Sequence, residues 1–210
     1  PRTNQTAGTT FTSSLVALLT VIPVMKIRCP QLEAMDMPAG DRYWAEIQAA
    51  AKAHQLDPVL VEAVVVQESN GNADAFRFEP VFWNRLLKPK PEWVGKNPRR
   101  VSSSYSLMQC MYPVALERGY DPSLPPEGLF VPEVGLEFGC RQIRWLTDWA
   151  ATFDASPDAK RGAILASYNG GRGSNKPTDT PLRNGLYAAS VLRHYATLKA
   201  ENARLKGKLE

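Results

Sequence analysis

The chain has 210 residues, 44% hydrophobic and 22% charged, enough for one domain with its own core plus flanking segments. Its 25 basic and 21 acidic residues leave a formal charge of +4, which suits an anionic polymer but is too slight for a nucleic-acid binder. With Cys29, Cys110 and Cys140 as an odd set and His54 and His194 as the whole histidine complement, neither a disulfide framework nor a zinc site nor a Ser-His-Asp triad is supported. No metal or organic cofactor is implied.

Residues 1–40 stand apart. Phe11 to Met25 is apolar but interrupted by Pro23, too short for a stable membrane span, and followed by no small-residue cleavage site. This part is expected to be a poorly ordered leader or an upstream extension. The folded domain is expected over residues 41–200, with a charged helical tail over 201–210. Asp41–Gln55 reads as an amphipathic lead helix. A second helix follows, with Asp57 as its cap, Pro58 at the first helical position and Asn70-Gly71 as its stop. The stretch from Asn70 to Ser106 is irregular and rich in aromatics, with room for a small hairpin, and a loop of that length is expected to be functional.

Further on, a short helix is expected from Pro113 to Arg118, stopped by Gly119. Pro132–Thr152 has helical periodicity with Leu136, Cys140, Ile143 and Leu146 on one face. Gly135 and Gly139 on that helix predict the close approach of a neighbouring helix. Ser156-Pro157 opens a helix to Tyr168, closed by Gly170-Gly171, and Thr180-Pro181 is taken to start the final helix, which fades after Ala200. Strand signals are few, so the fold class is mainly α: a helical domain with at most a small β-hairpin.

One residue is out of pattern. Glu68, in the last turn of the second helix, projects onto the stripe of Val61, Val64 and Val65. Desolvation disfavours a carboxylate there, and the negative end of the helix dipole opposes its ionisation further, so its pKa is expected to rise. A carboxyl group that stays protonated near neutral pH is what acid-catalysed glycosidic cleavage needs. The plainer alternative is that Glu68 turns outward at a frayed helix end.

Three further segments join this one in order: Ser106-Leu107-Met108-Gln109, Ala166-Ser167-Tyr168-Asn169-Gly170-Gly171, and Tyr187 with Val191. Together with Gln67-Glu68-Ser69 they resemble the lytic transglycosylases with the soluble-transglycosylase (SLT) type of lysozyme-like domain, over about residues 42–198. The resemblance implies a two-lobed α+β lysozyme-like fold with a cleft, and peptidoglycan glycan strands as the partner. It also implies cleavage of the β-1,4 bond between N-acetylmuramic acid and N-acetylglucosamine. Glu68 would be the general acid and base, and a 1,6-anhydromuramoyl end would be the product. A single carboxylate suffices in such a substrate-assisted scheme.

Within that resemblance, Gln109 would bind sugar amide or hydroxyl groups, and Tyr168 would place its hydroxyl near Glu68 or the substrate acetamido group. Asn169 would fix the adjacent turn and Tyr187 would complete the set. Met108 would pack under the sugar, although core packing is the commoner role for such a residue, and Ser69 would support the acid. Ser106 stands where the family has glycine, which puts close backbone approach to substrate in question. Ser103 or Ser104 could supply the serine that usually supports the acid. Arg77-Phe78-Glu79-Pro80, with Phe82 and Arg85, looks like a variant found in phage and prophage wall-degrading enzymes. Glu79 reads either as a wall-peptide contact or as a structural ion pair with Arg77 or Arg85. A hydrolytic muramidase on the same fold, using Glu79 as second carboxylate, is the nearest alternative. A non-catalytic wall-binding or phage structural module comes after it. The substrate places the chain outside the cytoplasm, in the periplasm or cell wall, or on a virion.

Overall fold

The computed structural model describes residues 41–206, so the expectations for 1–40 and for the last four residues fall outside it. A 3-10 turn over Asp41–Tyr43 leads into α1, Trp44–Ala53. Helix α2, Pro58–Ser69, has the ends its sequence dictates. Asp57 Oδ1 accepts the Val59 N–H at 2.9 Å, Pro58 occupies the first turn, and Asn70 ends the helix in the left-handed region at φ 50°. Three antiparallel strands follow: β1 (Phe76–Phe78), β2 (Ser103–Tyr105) and β3 (Cys110–Met111), in that spatial order. This is one short strand more than the hairpin expected.

Between β1 and β2 the chain makes a long excursion through short turns at Pro80–Phe82, Trp83–Leu87, Pro91–Trp93 and Pro98–Val101. Its base is clasped twice: the Glu79 N–H donates to the Ser102 carbonyl at 2.9 Å, and Ser102 Oγ donates back to the Glu79 carbonyl at 2.9 Å. The remaining helices are α3 (Tyr112–Glu117), α4 (Pro132–Ala151), α5 (Pro157–Gly170) and α6 (Gly185–Lys206). Ser156 Oγ caps α5 on the Ala159 N–H. The final helix begins four residues after Pro181, not at it. Pro181 belongs to a loop in which Asn175, Asn184 and their backbone neighbours hydrogen-bond to one another, so its proline is not a helix-start signal.

Two hydrophobic cores make two lobes. The larger joins α1, α2, α4, α5 and α6 through Ile47, Val61, Val64, Val65, Leu136, Cys140, Ile143, Leu165 and Val191, all essentially buried. Each such aliphatic side chain contributes at most about 1.5–3 kcal/mol of burial free energy. The smaller gathers Leu87, Val101, Tyr105, Tyr112, Tyr120, Leu129 and Phe138 around the sheet and α3. It is knit by edge-on ring pairs such as Tyr105–Phe130 and Tyr120–Phe138, with centroids 5.0 and 5.1 Å apart. Helix α4 reaches both cores, presenting Leu136, Cys140 and Ile143 to one and Phe138 to the other.

Gly135 and Gly139 do allow a close approach, but of a turn and not of a helix. A Cβ on Gly135 would lie 2.9 Å from the Leu129 carbonyl oxygen, and one on Gly139 would lie 2.8 Å from Met108 Cβ and collide with its sulfur. The bare side of α4 therefore seats the Ser106–Gln109 turn. Among the described residues, no helix is long and apolar enough to cross a membrane.

Candidate active site

A cavity of about 540 Å³ opens between the two lobes. Glu68 from the end of α2, with Ser167, Tyr168 and Asn169 from α5, lines one side. Arg77, Glu79, Ser104, Met111 and Val114 from the sheet and α3 line the other, with Phe82 and Leu86 from the excursion and Gln142 from α4. Arg77, Ser104 and Met111 are partners in one row across the sheet, so strand alternation presents them to the same face. Glu68 thus faces the cleft and does not turn away at a frayed end.

The carboxyl of Glu68 is half-buried. Burial raises its pKa above the ordinary carboxylate value; the Tyr187 hydroxyl and the charge of Arg77 oppose that rise, and Glu79 adds to it. Tyr187 Oη donates to Glu68 Oε1 at 2.6 Å. This bond fixes the rotation of the carboxyl through one of its two oxygens. The hydroxyl that meets the acid is therefore Tyr187's, carried in from α6 across 119 positions of sequence.

Tyr168 does something else with its hydroxyl. It donates to the Met108 carbonyl at 2.7 Å, while burial holds its phenol well above the usual pKa. One residue earlier, the Leu107 carbonyl accepts Ser69 Oγ at 2.8 Å. Two helices thus grip successive carbonyls of one turn, and Ser69 ties the acid's helix directly to it. The turn is tight: the Gln109 N–H donates to the Ser106 carbonyl at 3.1 Å, with Ser106 at φ 62° and Gln109 at φ 47°. A left-handed conformation explains why glycine suits position 106, and serine there costs about 1 kcal/mol or more.

Several expected contacts change as a result. Ser106 and Met108 are fully buried and lie beneath the cavity without lining it, Met108 packed against Gly139. Neither side chain can touch a sugar. Gln109 does line the cavity, but both hydrogens of its amide are committed, to the Ala75 carbonyl at 2.9 Å and to the Ser106 carbonyl at 3.0 Å. What it offers a ligand is its oxygen. Asn169 accepts from Asn184 Nδ2 at 2.8 Å and so secures the loop after α5, as its turn-fixing role requires. Of the two serines, Ser103 Oγ is spent on the Arg99 carbonyl at 2.6 Å, whereas Ser104 faces the cavity. Glu79 forms an ion pair with Arg77, Nε to Oε1 at 2.5 Å, beside Glu68 in the same cleft.

Sequence reasoning missed Gln142 and Val114 on the cavity wall and gave Ser167, within a segment it singled out, no role of its own. Gln142 sits one residue before the buried Ile143, on the flank of an apolar stripe where a polar residue reads as ordinary surface. It also missed Asn175, fully buried, whose amide donates to the Gly171 carbonyl at 2.9 Å and whose oxygen accepts the Asn184 N–H at 2.9 Å. Among the described residues, no cluster of three or more His, Cys, Asp or Glu side chains is placed to hold a metal ion.

A family model described as the transglycosylase SLT domain matches residues 45–184. Among solved structures, the chain is similar to the X-ray structure of an inactive mutant of the lytic transglycosylase Slt from Pseudomonas aeruginosa. The TM-score is 0.52 and the identity 18%, over 76% of this chain. The chain spans about a quarter of the length of that protein, 24% of it. No curated protein matches the chain.

Proposed function

The chain belongs to the transglycosylase SLT domain family, and from that premise we propose that it is a peptidoglycan lytic transglycosylase with Glu68 as its acid and base. The observation that carries this reading is the half-buried Glu68 carboxyl, raised in pKa by burial and oriented by Tyr187, in a cavity of about 540 Å³. Burial shifts such a group toward its protonated form, the form that can release a proton to a leaving oxygen.

In the first step, the free oxygen of the Glu68 carboxyl gives its proton to the glycosidic oxygen. The bond from that oxygen to C1 of the muramoyl sugar breaks, and the N-acetylglucosamine leaves with a new hydroxyl. The carbonyl oxygen of the muramoyl 2-acetamido group closes on C1 and carries the positive charge. In the second step, the Glu68 carboxylate takes the proton of the C6 hydroxyl, and O6 displaces the acetamido oxygen at C1. The product is a 1,6-anhydro ring, Glu68 regains its proton, and no water is consumed. Gln109 Oε1 is an acceptor for a sugar N–H or O–H, and the Ser104 hydroxyl serves the opposite wall.

Glu79 favours a second reading. It lines the same cleft, and a muramidase that hydrolyses the bond would use such a carboxylate to activate water. Its ion pair with Arg77 argues for the transglycosylase, because the guanidinium holds it as a charge partner. Digestion of purified cell walls followed by mass spectrometry of the released muropeptides decides the matter. Anhydromuramoyl ends are expected; reducing muramic acid ends in their place would overturn the reading in favour of hydrolysis. The substrate sets the place of action outside the cytoplasm, in the periplasm or cell wall.

A further inference from the structure

Away from the reaction cleft, the smaller lobe has a second hollow of about 490 Å³, within the range of about 300–1,000 Å³ usual for sites that bind small molecules. It lies between the excursion and the proline-rich loop before the Pro126–Phe130 turn. The fold's own contacts hold it in shape. Arg100 makes a two-point ion pair with Glu127, Nε to Oε1 at 2.6 Å and Nη2 to Oε2 at 2.7 Å, which ties the two sides together. Tyr120 Oη donates to the Pro125 carbonyl at 2.8 Å, and the Trp93 and Tyr112 rings meet edge-on with centroids 6.3 Å apart.

The lining suits a sugar ring. Trp93, Tyr112, Leu124 and Pro125 offer aromatic and aliphatic surface on which the C–H face of a pyranose can pack. Beside them are polar groups with capacity to spare. Glu92 and Lys96 have no hydrogen-bond or ion-pair partner among the described residues, and Asn97 gives its oxygen to the Arg99 N–H but keeps its amide hydrogens free. An acceptor, a cation and an amide donor beside an apolar wall can meet the hydroxyl and acetamido groups of such a ring. The charge around the hollow is one-sided as well. Between Glu79 and Ser102 the sequence holds six basic residues, Arg85, Lys88, Lys90, Lys96, Arg99 and Arg100, against the one acid Glu92. Of the chain's 25 basic and 21 acidic residues, that leaves 19 and 20 elsewhere, so the net positive charge resides in this segment. Arg85, Lys88, Lys90 and Lys96 are exposed and without an ion-pair partner among the described residues.

We propose that this hollow is a second glycan-binding site, which holds N-acetylated sugar rings of a wall strand outside the reaction cleft. The proposal rests on the peptidoglycan reading above. Charge favours that polymer over a neutral glycan, because the lactyl-peptide arms of a wall strand carry carboxylates, which the basic segment attracts. A bilayer surface fits less well: it takes up a protruding apolar face, and the apolar groups here line a recess. One segment serves both sites, with Phe82 and Leu86 at the cleft and Trp93, Lys96 and Arg100 at the hollow. A domain held through the hollow keeps its cleft at a high local concentration of bonds to cleave.

The test uses the full chain carrying Glu68→Gln, so that walls stay intact, and measures its co-sedimentation with purified insoluble peptidoglycan. Lys96→Glu and Leu124→Asp, at two exposed positions of the hollow, are each expected to weaken retention about tenfold, the scale of one lost contact. Calorimetric titration with short peptide-free glycan fragments should count two sites per chain, and one when Leu124→Asp is added. With Glu68 restored, both substitutions should slow lysis of whole walls, while kcat and KM on a short soluble muropeptide that fills only the cleft stay at parental values. Parental retention in both variants, with melting temperatures unchanged, overturns the site. So does a loss confined to Lys96→Glu, which would reduce the hollow to charge attraction, and so does binding there of free stem peptides in place of glycan fragments. A parent that cleaves soluble muropeptides keeps the peptidoglycan reading through each of these failures. One that neither binds nor cleaves wall material overturns both.

Discussion

The two lobes are built by different means. The helical lobe is ordered by apolar periodicity: Ile47, Val61, Val64, Leu136, Ile143 and Leu165 recur at helical spacing and meet in one core. The lobe around the sheet has strands of two and three residues, too short to be held by their ladders alone. It is ordered instead by side chains that hydrogen-bond to backbone: Tyr105 to the Arg100 carbonyl, Tyr120 to the Pro125 carbonyl, Ser102 to the Glu79 carbonyl, Gln109 to those of Ala75 and Ser106. The acid comes from the first kind of structure and most of the opposite wall from the second. Rigid packing fixes Glu68, while a set of individually modest polar bonds shapes what lies across from it.

That contrast can be broken at the acid itself. Glu68→Gln is expected to reduce wall-lysing activity by about 10²–10⁴-fold in a turbidity assay, as loss of a general acid does. Stability should move the other way. The folded-state pKa of Glu68 lies above its unfolded value, so the folded protein binds more protons between the two, and stability falls as pH rises through that interval. Above it the ionised carboxylate is a standing cost, which the glutamine removes. The variant should therefore melt no lower than the parent at pH 8, and a lower melting temperature there would contradict the burial argument.

A smaller effect is expected where the lobes meet. Gly139→Leu would drive a side chain into Met108, at a cost of about 1–3 kcal/mol from overpacking. Because Met108 belongs to the turn that carries Gln109, both melting temperature and lysis should fall. Unchanged lysis in a destabilised variant would mean that the turn does not shape the site.

Next comes the bond that orients the acid. Tyr187→Phe removes a donor to the charged form of Glu68, so the pKa rises further and the alkaline limb of the pH–rate profile should move to higher pH. The rate at the optimum should drop about tenfold, reflecting one lost charge-assisted bond. The finest adjustment lies on the sheet side. Arg77→Gln removes a charge that lowers the Glu68 pKa, and Glu79→Gln removes one that raises it. The alkaline limb should move up in the first and down in the second; movement in the same direction would show that the pair acts only as a structural unit.

How much of this was legible in the sequence follows the same division. Helix α2 could be read almost entirely, because its cap, its proline and its left-handed stop are local signals, and the apolar face of α4 was plain from its period. Periodicity placed Glu68 on the stripe of Val61, Val64 and Val65 but left open whether it turns outward; the cleft it faces is made by segments far away in sequence. The partner of Gly135 and Gly139 could not be read, since glycine shows only that something comes close. Nor could the exchange of roles between the tyrosines. Tyr168 and Tyr187 both lie near the acid, but a hydroxyl's destination depends on the relative placement of α5 and α6, which periodicity does not record. The start of α6 was misplaced because a proline after threonine is a common helix opening, and only the buried Asn175 explains why the chain stays looped there until Gly185.

The clasp between Glu79 and Ser102 has a consequence for how such a domain diversifies. Because the chain departs and returns at one closed junction, the intervening segment behaves as a cassette, and a replacement of different length would leave the mounting of the acid untouched. Any substitute must bring apolar stand-ins for Leu87 and Val101, which plug the smaller core from that segment. Within that requirement, the cassette can change one wall of the cleft without moving Glu68, since Phe82 and Leu86 reach the cleft from it and Glu68 does not.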